Sequence, residues 1–217
     1  MKVRVYELKK AVEDLLYLLN KKYPKQNSLD LVGNRYNLDS DKRHILHRAI
    51  YSEKESKARR KKLISPLEVK NRIIGIDGYN VLITVESAIR KKPVILCRDG
   101  LVRDISSVSK KYKISEATLK ALDLIFKVLV KYRPKKVFFY FDSPISKSGE
   151  LASSVREKLE EDGLEGGAFA VKVPERYLLN FEVVSTSDSA IIERTKSILD
   201  LAGFIIRKRL KKKLISF

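Results

Sequence analysis

The sequence predicts an α/β protein with a mostly parallel sheet covered on both faces by helices, preceded by a small α-helical domain. Two observations carry this expectation. Short apolar, β-rich runs recur at residues 72–76, 137–141, 168–173, 181–185 and 204–207, with helical patterns between most of them. Strands buried on both faces read as such near-continuous apolar runs. Upstream, apolar groups fall at positions 8, 11, 12, 15, 16 and 19, the spacing of an amphipathic helix.

Taken in order, the first helix covers residues 6–20, and SLDLVGNRYNLDSD after it is rich in turn formers and reads as a connection. A second helix is expected over about 40–60, capped by Ser40 or Asp39, with Ile45, Leu46, Ala49 and Ile50 as its buried stripe. KARRKK at 57–62 follows, and Ser65-Pro66 marks a boundary because proline disfavours helix in the residue before it. After the strand RIIGI come a helix at 81–90 and, at 93–105, a hairpin turning at Asp99-Gly100. Further helices are expected at 115–132, 149–162 and 188–202, with Ser115 capping the first and Gly203 closing the last. The expected division is a basic helical domain at 1–65, an α/β domain at 66–207 and a basic tail at 208–217.

The 217 residues carry 46 Lys+Arg against 27 Asp+Glu, a formal net charge of +19. That excess favours a polyanionic partner through Coulomb attraction and counterion release, so nucleic acid, RNA or DNA, is the leading expectation and an anionic membrane surface the second. A single cysteine, Cys97, leaves no intramolecular disulfide, and MKVRVYELKK lacks the apolar core of a signal peptide. No apolar run approaches the roughly 20 residues that span a bilayer. A cytoplasmic protein without membrane attachment is expected. The sequence has no Gly-rich loop ending in Gly-Lys-Ser/Thr, no G-x-G-x-x-G, no paired cysteines for zinc and no G-x-S-x-G nucleophile elbow.

Three of the apolar strands end in, or soon before, an aspartate: IIGI-Asp77, VFFYF-Asp142 and FEVVSTS-Asp188. In an open parallel sheet the functional crevice lies beyond the carboxyl ends of the strands, so neighbouring strands would bring these carboxylates together. Such convergence of like charges requires a cation, and Mg²⁺ or Mn²⁺ suits an all-oxygen set. The ion would activate water and stabilise charge on a phosphoryl oxygen. Ser143, Ser146, Lys147 and Ser148, before an expected helix start, supply hydroxyls, an ammonium and free N–H groups for a phosphate. Thr186, Ser187 and Ser189 flank Asp188 and would orient water or contact a nucleic-acid backbone. Each Asp taken singly also fits a turn former or helix cap, and the serines fit a loop end.

IIGIDGYNVLI resembles the first motif of the PIN-like nuclease superfamily, particularly its NYN branch, in which the first strand ends in Asp-Gly-Tyr-Asn. VFFYFD is similar to that branch's second acidic strand, and VVSTSDSAII to its late Thr-Ser-Asp motif. The resemblance covers about residues 71–207, and the motif order also resembles archaeal proteins that join a small basic helical region to a PIN-like half. It implies a Rossmann-like three-layer sandwich and a metal-dependent ribonuclease with Asp77, Asp142 and Asp188 as ligands. Asn80 would shape the loop after the first strand and contribute to phosphate binding. The family's further acidic pair has no evident equivalent at 163–180, where only Glu165 and Glu175 occur. Glu150, Asp104, Asp99 and Glu193 are the candidates for a fourth acid, Asp99 also being an ordinary Asp-Gly turn residue.

In the N-terminal region Arg35, Tyr36, Arg59 and Arg60 offer charge and an aromatic ring for RNA, although Tyr36 also fits a turn with its ring packed inward. The expectation is therefore a Mg²⁺- or Mn²⁺-dependent endoribonuclease. Its rivals are a non-catalytic RNA-binding protein on a PIN-like scaffold and a phosphatase of small molecules.

Overall fold

The computed structural model describes residues 5–105 and 112–217; the first four residues of the stretch read for a targeting signal lie outside them. The chain opens with α1 (Val5–Asn20), α2 (Lys25–Arg35), α3 (Ser40–Ala49) and α4 (Glu53–Arg60). It continues through β1 (Leu63–Ile64), a 3₁₀ turn at Pro66–Val69, β2 (Ile73–Asp77), α5 (Gly78–Ile89), β3 (Val94–Leu96) and β4 (Val102–Asp104). Then come α6 (Glu116–Tyr132), β5 (Lys136–Asp142), α7 (Ser148–Glu161), β6 (Gly166–Val171) and α8 (Pro174–Leu178). The chain closes with β7 (Val183–Ser185), α9 (Ser189–Arg194), β8 (Ser197–Leu199), α10 (Leu201–Lys208) and β9 (Ile215–Ser216).

These elements form two compact units that interleave along the chain. One holds the residues up to 61 with 93–105 and 213–217; the other holds 62–92 and 106–212. The division read from sequence ran along the chain at 65 and 207. Instead the β3–β4 hairpin joins the helical unit, and the last residues form a strand there, with Ile95 of β3 in register with Ile215 of β9.

In the helical unit, α1 buries Leu8, Ala11, Val12, Leu15 and Leu19. The segment read as a connection is instead the helix α2: Leu29 and Val32, at helical spacing, enter the same core and outweigh its turn-forming composition. The single helix expected over 40–60 is two. Asp39 caps α3, accepting from the Lys42 N–H. The chain then leaves the helix at Ile50, and Ser52 restarts it through a reciprocal cap with Glu55.

Asp99 sits in the hairpin turn but does more than turn the chain. It is fully buried and receives Arg103 in two parallel bonds of 2.7 and 2.8 Å and Arg59 at 3.2 Å. Arg59 is therefore not the surface RNA contact expected of KARRKK: its guanidinium is buried and stacks on the Tyr51 ring at 4.1 Å.

The other unit is a six-stranded, all-parallel sheet in the order β1-β8-β7-β2-β5-β6, flanked by helices. This is the expected α/β class with a parallel sheet, consistent with a Rossmann-like three-layer sandwich. Ile74, Ile76, Val137, Phe139 and Phe141 point to one face, into a core with α5, α6 and α7. The carboxyl-terminal portion differs from expectation. Residues 188–202 are not one helix, because SIL pairs as β8 between β7 and β1. FIIR is helical rather than a strand, and Gly203 is inside α10 rather than at a helix end. Asp200 starts that helix by accepting from the Gly203 N–H at 2.9 Å, and a Cβ on Gly203 would come within 1.9 Å of the Asp200 carboxylate.

Asp99→Ala deprives two buried guanidinium groups of this carboxylate and is expected to cost about 3–5 kcal/mol. Urea unfolding measures it; a loss within experimental error would contradict the assigned role.

Candidate functional site

From β2 the chain passes to β5 on one side, while β7 lies on the other. The carboxyl ends of these strands thus flank a reversal of strand order, where crevices form in open parallel sheets. The register fixes what gathers there. Asp77 pairs with Tyr140, so Asp142 lies two residues further along the neighbouring strand, and Ile76 pairs with Ser185. Strand alternation turns Asp77 and Asp142 away from the apolar core, to the face carrying Gly75, which α8 covers.

A cavity of about 160 Å³ is lined there by Asp77, Tyr79, Asn80, Asp142, Pro174, Glu175, Asp188 and Ile191. Asp77, Asp142 and Asp188 are the three carboxylates expected from sequence, and Asn80 joins them. Glu175 supplies a further acid. The sequence shows no acidic pair between 163 and 180, yet Pro174 starts a short helix on the same sheet face and presents Glu175 in its first turn.

The first and last motifs are tied together by hydrogen bonds. Asp77 accepts from Thr186 Oγ1 at 2.8 Å and more loosely from the Asn80 N–H at 3.4 Å, which makes it the cap of α5. Asn80 Oδ1 accepts from both the N–H and the hydroxyl of Ser187, each at 2.9 Å. Thr186 Oγ1 also receives the Asp188 N–H, and Asp188 caps α9 by accepting from Ala190 and Ile191. The capping reading of Asp188 and its place at the cavity are thus both realised. Gly78 makes the turn after β2 feasible, since a Cβ there would lie 2.3 Å from the Phe141 ring.

The electrostatics follow from this crowding. Burial pushes the Asp77 carboxyl up to about 7, with Asp142 and Asp188 adding to the rise. Burial, then Glu175, raises Asp142. Tyr79, whose ring meets Phe141 edge to face, is pushed up to about 12 by burial and by Asp142. Among the described residues its buried hydroxyl has no hydrogen-bond partner. Tyr79 belongs to the Asp-Gly-Tyr-Asn motif, and the structure buries its ring within the influence of Asp142.

Among the described residues, no three His, Cys, Asp or Glu side chains already stand in ligand geometry. The cavity does offer an all-oxygen donor set, two carboxyls whose charge is disfavoured where they stand, and an unmatched phenol donor. That chemistry fits a hard divalent cation and an oxyanion.

The other expected residues lie elsewhere. Glu150 is exposed and pairs with Lys147 at 3.1 Å. Asp104 belongs to β4 in the helical unit, and Glu193 is exposed on α9, its carbonyl receiving Lys62. None of these lines the cavity. Ser143 and Ser146 are exposed in the turn before α7, Ser148 is buried as its first residue, and Ser189 begins α9. Thr186 acts through Asp77 rather than on the cavity. In the helical unit Arg35 and Tyr36 both engage Asp14, the Tyr36 hydroxyl donating at 2.8 Å, while exposed Arg60 donates to the Arg98 carbonyl.

Residues 66–204 match the family described as Domain of unknown function (DUF5616), and residues 7–62 match Protein of unknown function (DUF434). An uncharacterized protein of Methanocaldococcus jannaschii is 42% identical over 208 residues, covering 95% of this chain and 99% of its own length. No solved structure matches the chain. Among the described residues no helix is long and apolar enough to cross a membrane.

The raised Asp77 carboxyl sets a pH dependence. Between its ordinary value near 4 and the folded value of about 7, the folded chain keeps a proton that the unfolded chain has released. Its contribution is therefore complete below pH 4 and is lost as pH rises through 7. Melting temperatures over this range are expected to fall more steeply for the native protein than for Asp77→Asn; parallel profiles would contradict the burial of this charge.

Proposed function

We propose that this chain, which belongs to the family described as Domain of unknown function (DUF5616), is a metal-dependent endoribonuclease of PIN-like type. The observation that carries the reading is the convergence of Asp77, Asp142, Asp188 and Glu175 on one cavity, in a chain of net charge +19. Acid gathered in a basic molecule suits a cation and a polyanionic substrate together. RNA is the proposed partner, and the cytoplasm the proposed location.

Asp77, Asp142, Glu175 and Asp188 would hold Mg²⁺ or Mn²⁺. When bound, the ion supplies a lowered pKa for water and charge neutralisation at a phosphoryl oxygen. The chain's own residues do the rest. Thr186 Oγ1 fixes one Asp77 oxygen, and Asn80 holds the Ser187 loop against the first motif. Tyr79 lines the cavity, and its hydroxyl, which has no hydrogen-bond partner among the described residues, would donate to a non-bridging phosphate oxygen. The apolar wall of Pro174 and Ile191 limits water around the reacting phosphodiester.

A second reading, RNA binding without cleavage, draws on Asp188, whose carboxylate is already engaged by the α9 N–H groups. The two readings differ in their response to metal. With Mn²⁺ or Mg²⁺ present, Asp77→Asn, Asp142→Asn and Glu175→Gln are each expected to slow RNA cleavage by about 100-fold or more while leaving RNA affinity in chelator nearly unchanged. Full cleavage by Asp77→Asn would overturn the proposal. Addition of Mn²⁺ at pH 8 should also raise the melting temperature of the native protein and not that of Asp77→Asn; equal responses would place the ion elsewhere.

A further inference from the structure

The sheet face that carries Asp77 and Asp142 also carries an unusual row of aromatic rings. Along β5, Phe138, Tyr140 and Asp142 alternate with the core residues Val137, Phe139 and Phe141. The Tyr140 ring is shared by two near-parallel neighbours: Phe169 of β6, centroids 5.6 Å apart and planes 24° apart, and Tyr177 of α8, at 5.1 Å and 16°. Phe181 meets both Tyr140 and Phe138 beneath them. Two glycines let rings lie flat on the strands. A Cβ on Gly75 would come within 2.7 Å of the Phe181 ring, and one on Gly167 within 3.1 Å of Phe169.

A row built only for packing would be covered. Here the five-residue α8 is too short to roof the β5–β6 end of the face, and Phe169 and Tyr177 remain 43% and 46% exposed while Tyr140 is 8% exposed. The segments that carry these rings expose Lys172 and Arg176, together with Glu175 and Glu182, in a chain of net charge +19. The row also runs directly into the acidic cavity. Asp142 follows Tyr140 by two residues on the same strand face, about 7 Å along it, and Glu175 precedes Tyr177 by two on α8.

We infer that Phe169 and Tyr177, joined through Tyr140, form a stacking platform for the unpaired bases of single-stranded RNA, leading the strand's phosphates to the Asp142 and Glu175 end of the cavity. This names the substrate class for the nuclease reading and rests on it for the placement of the phosphates. Exposed rings interleaved with Lys and Arg are how single strands are held without a sequence code, because every base has a π face. A duplex keeps its bases paired and stacked inside, so it offers the row no faces. Cations beside the rings suit the strand's backbone better than an apolar protein partner, which would meet Lys172 and Arg176 unmatched.

The test is binding in chelator, so that cleavage does not enter. A fluorescent single-stranded RNA and a duplex of the same sequence are titrated with the native protein, Phe169→Leu, Tyr177→Leu and Phe169→Trp, each checked for an unchanged melting temperature. Leucine keeps apolar volume without a π face; tryptophan keeps the face and guards against a variant that merely fails to fold. Each leucine variant is expected to bind the single strand roughly tenfold more weakly. The tryptophan variant should bind it as tightly as the native protein, and duplex affinity should not move. Unchanged single-strand affinity in both leucine variants, or an equal loss for single strand and duplex, would overturn the platform. The two readings fail separately: a native protein that does not cut RNA with Mn²⁺ but still shows the ring dependence loses the nuclease reading alone. Cleavage without ring dependence removes the platform alone.

Discussion

Asp77 and the bond it receives from Thr186 Oγ1 hold the site together. The carboxylate stands at the last position of a central strand, caps the helix that follows, and accepts from the loop after β7, so two segments 109 residues apart in sequence are joined by one side chain. The parallel register makes this possible: with Asp77 opposite Tyr140 and Ile76 opposite Ser185, the loops after β2, β5 and β7 leave the sheet at one edge. Gly78 lets the chain turn there against the Phe141 ring, with no room for a Cβ.

The same geometry creates an electrostatic problem that structure alone does not resolve. Folding drives apolar strands into the core and carries carboxylates to their ends, where burial raises Asp77 and Asp142 and each neighbour adds to the strain. Protein hydrogen bonds offset part of this cost: Thr186 and Asn80 act on Asp77, and the α9 N–H groups on Asp188. The remainder is the argument for a cation, and the unmatched Tyr79 hydroxyl is the argument for an oxyanion beside it. In the proposed reaction the long-range field of the +19 chain would draw the RNA, and the local acidic cavity would hold the cation.

Much of this was legible in the sequence, for identifiable reasons. The apolar runs at β2, β5 and β6 are strong enough to show strand character, and Asp at two strand ends and three residues past a third marks the cavity. What sequence reasoning missed depends on tertiary neighbours. Glu175 sits on a five-residue helix too short to leave a periodic signal, and only its packing over β2 and β5 brings it to the acids. SIL and FIIR exchange the roles expected of them because Asp200, which lies between them, caps the helix that contains FIIR, a local bond that hydrophobicity does not encode. Arg59 looked like one more cation in a basic run, whereas a buried carboxylate forty residues away claims it. Turn-forming residues hid α2 because the core contacts of Leu29 and Val32 outweigh composition.

The central claim is that four carboxylates from four separated segments form one cation site. Anomalous diffraction from crystals of the full chain soaked in Mn²⁺ at pH 8 tests it most directly. A strong peak is expected in the cavity bounded by Asp77, Asp142, Glu175 and Asp188, with Asp77 and Asp142 among its ligands. A peak only at other carboxylates, or none while the cavity remains open to solvent, would contradict it.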